Sequence, residues 1–263
     1  KVQLIGTVGP FEKNFISSLA LREKIILIFT KYLMIFSSLT SDIVIFESNY
    51  TRDLFVIKYR QKLEKSAVLH IGNDVFFQSD NVNSSETANK YCDKEYILIV
   101  SHLYPYKNIE LMIDSYYHAQ LYKIELCVLI AGSTADKPYY DRLKAKVEKY
   151  DLADYIIFLG RVEKQNLREL YSQCKFLVFT SPFENFAYTL VEAMSCSAPI
   201  IATNTTAMPE TCGDAALYFT PDSEQELTDC MLTFIENENI RKMYKDRSLA
   251  KSSEYEIYSV INK

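Results

Sequence analysis

A chain of 263 residues, 48% of them hydrophobic, carries enough apolar material for a substantial core and has the length of one or two domains. Its 29 basic and 34 acidic residues give a net charge of -5 with no run of like charge, which argues against a nucleic-acid groove. The six cysteines are dispersed, with no CxxC pair, and the three histidines are scattered, so the composition offers neither a disulfide framework nor a structural metal site. The cysteines read as reduced, structural residues.

In chain order, Lys1 is followed at once by an apolar run, Val2–Ile5, without a methionine, a charged leader or a cleavage site, so the expectation is that a segment has been removed upstream. The apolar stretch Ile25–Phe36 is interrupted by Lys31 and falls short of the roughly 20 residues that cross a bilayer. A helix packed on the core is the favoured reading; peripheral contact with acidic lipid through Arg22, Lys24 and Lys31 is the alternative. A strand at Ile43–Phe46, a helix at Thr51–Glu64 and a strand at Ala67–Ile71 follow. Asn, Ser, Asp and Glu then dominate Gln78–Glu95, which marks a linker at residues 78–94.

Beyond the linker, strands are expected at Tyr96–Val100, Leu126–Ala131, Tyr155–Leu159, Phe176–Thr180, Pro199–Ala202 and Leu217–Phe219. Helical spacing begins after Asn108, a candidate N-cap, where Ile109, Met112, Ile113 and Tyr116 share one face. Further helices are expected at Tyr139–Tyr150, Lys164–Gln173, Ala187–Ser195, Glu224–Glu236 and from Ile240 onward. Short apolar runs alternating with amphipathic ones give the α/β class: mostly parallel sheets covered by helices. The divisions are 1–77, 95–240 and a helical segment 241–263. The first contains about three strand candidates where a doubly wound domain usually has five or more, so it reads as incomplete.

Three strand-loop-helix passages could carry chemistry. In Ser181–Met194 the N–H groups of Phe186, Ala187 and Tyr188 open a helix, where hydrogen bonding and the helix dipole attract phosphate. Glu184 and Glu192 are separated by seven residues, and a carboxylate suits a vicinal diol. Spacing alone, however, favours solvated surface glutamates. In Val100–Asn108, Lys107 precedes a helix start and could neutralise phosphate, with His102 as an auxiliary donor; an ordinary surface lysine and a packed turn histidine are the bland readings. Gly160-Arg161-Val162 permits close backbone approach to a base or phosphate, and is equally a plain strand-to-helix turn.

These residues resemble a known family. SPFENFAYTLVEAMSCSAPIIAT at Ser181–Thr203 is similar to the signature of retaining glycosyltransferase family 4, with its two glutamates flanking seven residues. Tyr96–Tyr116, Val128–Ser133, Ile156–Ser181 and Met208–Ser223 resemble the same family, as do SDIVIFESNYTRDLF and HIGNDVFF before the linker. The resemblance implies two Rossmann-like domains facing a cleft, a UDP- or GDP-linked sugar donor held mainly by the second, and transfer with retention to a hydroxyl of a glycan or lipid-linked acceptor. It implies no metal or cofactor, no nucleic-acid partner, and a cytoplasmic location, with the inner face of a membrane as the alternative.

Carried over residue by residue, the resemblance gives Lys107 the donor diphosphate, Glu192 the ribose hydroxyls and Glu184 the transferred sugar. Asn185, Phe186 and Ala187 would line the phosphates with their backbone, and Gly160, Arg161 and Val162 would lie near the base. Two positions depart from the pattern: His102 replaces the usual arginine, and Asn185-Phe186-Ala187 stands where glycines are common. The resemblance also makes residues 1–77 the latter part of the acceptor-side domain. A non-catalytic nucleotide-sugar-binding or assembly subunit is the rival reading, and the six glycines never form the GxGxxG of a dehydrogenase.

Overall fold

A computed structural model of the chain describes residues 1–6, 9–11, 16, 21–59, 63–70, 72, 75–78 and 94–255. Nine strands form two wholly parallel sheets among the described residues. The first has the order β1-β2-β3, with β1 Val2–Ile5, β2 Ile43–Phe46 and β3 Ser66–Val68. The second has the order β6-β5-β4-β7-β8-β9, with β4 Tyr96–Val100, β5 Cys127–Ala131, β6 Ile156–Gly160, β7 Phe176–Phe179, β8 Ile200–Thr203 and β9 Ala216–Phe219. That is the doubly wound Rossmann order, and the expected α/β class with two Rossmann-like sheets stands. All nine expected strands are present, with ends shifted by a few residues.

The second sheet is buried on both faces, which is why its strands read as unbroken apolar runs. Period-two alternation divides each strand between two cores. Leu98, Leu129, Leu177 and Ile200 face one layer, with α5 Lys164–Gln173 and α6 Tyr188–Ser195. Ile97, Ile99, Val128, Ile130 and Val178 face the other, with α3 Ile109–His118, α4 Lys137–Lys149 and α8 Glu224–Glu236. The last helix, α9 Glu238–Ser252, packs on α6. A smaller core, with Ile5, Phe11, Val44, Phe46 and Phe55, holds the first sheet to α2 Asn49–Tyr59.

The structure corrects several expectations. The apolar stretch forms a longer helix, α1 Leu21–Leu39, in which Met34 and Ile35 pack on the core of the first sheet, as the core-facing reading expects, while Ile25, Phe29, Tyr32 and Phe36 are all at least 60% exposed. Helix α2 starts earlier than expected because the Ser48 hydroxyl accepts the Thr51 N–H at 3.2 Å as its N-cap; residues 60–62 of the expected helix lie outside the described residues. A short helix, α7 Met208–Cys212, was not foreseen. Most of the expected linker, 79–93, and residues 256–263 lie outside the described residues. Of the cysteines, Cys127, Cys174, Cys196 and Cys212 are buried free thiols and Cys230 is half-buried, while Cys92 lies outside.

The two units meet through a glutamate. Glu210 of α7 accepts hydrogen bonds from the backbone N–H groups of Asn49 (2.7 Å) and Tyr50 (2.9 Å) and from the Asn49 amide (2.7 Å), capping α2 from the other sheet. His70 Nε2 lies 2.9 Å from the same carboxylate. Burial alone would raise this carboxyl, but the bonds from His70, Asn49 and Tyr50 outweigh it and hold the group at about 2 against an ordinary 4.5. A depressed carboxyl contributes stability that is complete above about 4.5 and fades as pH falls toward 2. Thermal melts from pH 6 to pH 3 are therefore expected to show a steeper loss for the wild type than for Glu210→Gln; parallel curves would discount this tie.

Candidate active site

Strands β4 and β7 are neighbours at the point where the strand order reverses, and the loops leaving their carboxyl ends diverge to open a crevice. After β4 the chain makes a single 3-10 turn, Pro105–Lys107, and then enters the left-handed region at Asn108, φ 51°. Thr180, just after β7, donates its hydroxyl to the Lys107 carbonyl at 2.6 Å and ties the two loops together. The Lys107 ammonium donates to Glu184 Oε1, with the two side chains only 13% and 17% exposed. It also lies 4.9 Å from the Tyr106 ring centroid and 5.9 Å from that of Phe179. The Glu184 N–H is held by the Thr206 hydroxyl at 3.2 Å.

A cavity of about 430 Å³ lies at the ends of β4, β5 and β6, walled by His102, Gly132, Ser133, Arg161, Val162 and Thr189 among others, and the chain neighbours Tyr106, Asn108 and Phe183 of the pair line a second one. His102 Nδ1 sits 2.6 Å from the Ser133 hydroxyl. A bulge shifts the β5–β6 register so that Ala131 faces Gly160, and the Gly132 N–H donates to the Gly160 carbonyl at 2.8 Å. Gly160 has φ +67°, and a Cβ there would meet open space. A Cβ on Gly132 would lie 1.7 Å from the Ser101 carbonyl oxygen, so only glycine lets these two loops approach.

Helix α6 begins at the cavity wall. Its N-cap, Ala187, supplies no side-chain acceptor, and the first-turn N–H groups of a helix have no partner within it. Glu192 lies one turn beyond Thr189 on the same helix and accepts the Tyr171 hydroxyl at 3.0 Å. Burial, then the Glu192 charge, pushes the Tyr171 hydroxyl far above its ordinary range, so it remains a donor that orients this carboxylate.

The structure thus places Lys107 against Glu184 and gathers His102, Arg161, Val162 and the α6 N-terminus around one cavity. The side chains of Asn185, Phe186 and Tyr188 turn away from it. Asn185 bonds Glu47 and Thr51, Phe186 stacks on His70 with centroids 5.8 Å apart, and the Tyr188 hydroxyl donates to Glu47 at 3.2 Å. Asn108 occupies the N-cap position of α3 but makes no side-chain cap, since its amide donates to Asp222 at 2.7 Å instead. The Ile109 N–H is taken by the Tyr139 hydroxyl at 2.9 Å, so Lys107 faces Glu184 rather than a free helix end. Sequence reasoning overlooked Gly132, Ser133 and Thr189 as cavity residues, although a glycine just past an apolar strand was the available signal.

Residues 81–250 match the family model for glycosyl transferases group 1. The O-antigen chain mannosyltransferase B of Escherichia coli is 28% identical over 164 residues, covering 61% of this chain and 42% of that protein. The N-acetylgalactosamine-N,N'-diacetylbacillosaminyl-diphospho-undecaprenol 4-alpha-N-acetylgalactosaminyltransferase of Campylobacter jejuni is 24% identical over 249 residues, covering 94% of this chain and 62% of that one. The chain therefore spans less than two thirds of either relative. Among solved structures, Anabaena Alr3699/HepE in complex with UDP-glucose superposes with a TM-score of 0.80 at 20% identity, covering 99% of this chain and 70% of that one. Sucrose-phosphate synthase from Thermosynechococcus elongatus reaches 0.81 at 16% identity, with 98% and 64% covered, and both likenesses speak to the fold. With the matched segment covering more than half of its length, including the whole second sheet and its crevice, the chain belongs to the glycosyl transferases group 1 family.

Proposed function

We propose that this chain carries the nucleotide-sugar site of an enzyme that moves a sugar, with retention of configuration, from a UDP- or GDP-linked donor to a hydroxyl of a glycan or lipid-linked acceptor. The observation that carries the reading is the Lys107–Glu184 pair at the strand-order reversal, with Lys107 on the loop that leaves β4 and also supplies His102 to a cavity edged by the uncapped start of α6. The donor diphosphate takes the Lys107 ammonium from Glu184 and adds the α6 N–H groups as further donors. Glu184, released, accepts a hydroxyl of the sugar. Glu192, already oriented by Tyr171, accepts the ribose diol, and the cavity between His102 and Arg161 takes the base. As the nucleoside diphosphate departs, the negative charge growing on its phosphate is stabilised by Lys107 and the helix N–H groups, and that phosphate accepts the acceptor's proton.

The relatives support this class: one is a mannosyltransferase of O-antigen chains and another acts on an undecaprenol diphosphate. Among the described residues no helix is long and apolar enough to cross a membrane. The outward apolar face of α1, with Arg22 exposed beside it, supports peripheral contact with the inner face of a membrane, where a lipid-linked acceptor would be met.

Calorimetric titration of UDP- and GDP-sugars in EDTA tests the donor assignment. One nucleotide should bind saturably, and Glu192→Ala should weaken it roughly tenfold through the lost carboxylate bonds to ribose. If neither nucleotide sugar binds the full-length protein, the reading fails.

A further inference from the structure

The loop that must bring its backbone close to phosphate, Asn185-Phe186-Ala187-Tyr188, carries three large side chains, and all three are anchored in the first unit. The Glu47 carboxylate, 8% exposed at the carboxyl end of β2, accepts from the Asn185 amide through Oε2 and from the Tyr188 hydroxyl through Oε1. The Asn185 carbonyl oxygen accepts from the Thr51 hydroxyl, which accepts in turn from Ser48 at 2.9 Å. Every direction in this chain of bonds is fixed, because Glu47 has only acceptors and takes a donor on each oxygen. Gly6 leaves room for it: a Cβ there would stand 3.2 Å from Glu47 Oε1. Burial, then the Glu47 charge, raises the Tyr188 hydroxyl above its ordinary range, so it stays a donor at working pH.

We infer that Glu47 is a positioning residue for the donor diphosphate, fixing both ends of the loop whose backbone N–H groups meet the phosphates. The inference rests on the donor-site reading above. Glycines would let such a loop adapt on binding, whereas here the conformation is set beforehand by the opposite unit, and the ordering cost is removed from the binding step. The phosphate subsite is therefore formed only while the two units are in contact, which makes donor affinity sensitive to their arrangement.

The test compares Glu47→Gln, Asn185→Asp and the double variant in the full-length protein. A glutamine in place of Glu47 can accept only one of the two donors, and an aspartate in place of Asn185 sets a second carboxylate against Glu47. In the double variant the introduced amide donates to the introduced carboxylate while its oxygen still accepts from Tyr188, so the bond count and net charge are restored. Nucleoside diphosphate affinity, by calorimetry, should fall roughly tenfold in each single variant and recover in the double, while binding of uridine or guanosine alone, by ligand NMR, stays unchanged. A merely structural role would move diphosphate and nucleoside together, and that result, or wild-type diphosphate binding by Glu47→Gln, overturns the inference. Should Glu47→Gln fail to fold, Thr51→Val breaks the same chain more gently and should show the same selectivity. Loss of binding in Glu192→Ala but not in Glu47→Gln leaves the donor site standing and removes this inference alone; a wild type that binds no nucleoside diphosphate removes both.

Discussion

Replacing Lys107 by alanine should weaken nucleoside diphosphate binding roughly a hundredfold. The ammonium is largely withdrawn from water, so it acts on phosphate with little screening, and no other lysine or arginine is among the described partners of Glu184. The same geometry makes an opposite effect expected next door. Glu184 holds Lys107, and a donor diphosphate has to compete with it. Glu184→Gln removes the competing charge and should tighten binding of the free nucleoside diphosphate several-fold, while lowering transfer from the sugar-bearing donor, whose hydroxyl loses a carboxylate partner. Titrations with the diphosphate and initial rates with the donor separate these effects. If Glu184→Gln weakened the diphosphate instead, the displacement step would be discarded.

Gly132→Ala is expected to be the most damaging glycine-to-alanine substitution among Gly6, Gly132, Gly160 and Gly213. The added methyl would fall 1.7 Å from the Ser101 oxygen and 2.5 Å from its carbon, both backbone atoms. They cannot retreat cheaply, since Ser101 donates to Ala131 at 2.9 Å and Leu103 to Ser133 at 3.0 Å across the same gap. Relief means parting β4 from β5 at the cavity, at a cost of about 3 kcal/mol or more, equivalent to a fall of roughly 6–12 °C in the melting temperature. Gly160→Ala is the natural comparison, because its methyl meets open space and only the positive φ is strained, for about 1–2 kcal/mol. A Gly132→Ala melt no lower than that of Gly160→Ala would refute the steric argument.

Much of the architecture was legible because parallel strands buried on both faces must be apolar throughout, and their helices must show one apolar stripe. Tyr96–Val100 and Cys127–Ala131 illustrate this, with almost every position buried. Helix α1 was only half legible for the complementary reason: Met34 and Ile35 reach the core, but apolar composition does not say what covers Ile25, Phe29, Tyr32 and Phe36. The crevice was legible from strand-loop-helix passages around Lys107 and Glu184. What stayed hidden depends on residues distant in sequence, such as Glu47 with Asn185, Glu210 with Asn49, and the Tyr139 hydroxyl on the Ile109 N–H. None of these pairs leaves a local pattern, because each forms only when separate loops or helices meet.

The buried thiols offer a clock. Burial pushes Cys174, Cys196 and Cys212 up to about 12, so in the native state they remain protonated and shielded, and an alkylating reagent can reach them only through an opening of the second unit. Residues 1–77 contain no cysteine at all. In a background with Cys92→Ser and Cys230→Ser, the rate at which these sulfurs are capped would report excursions of the second unit by itself, and a single cysteine placed in the first would time its partner in the same tube.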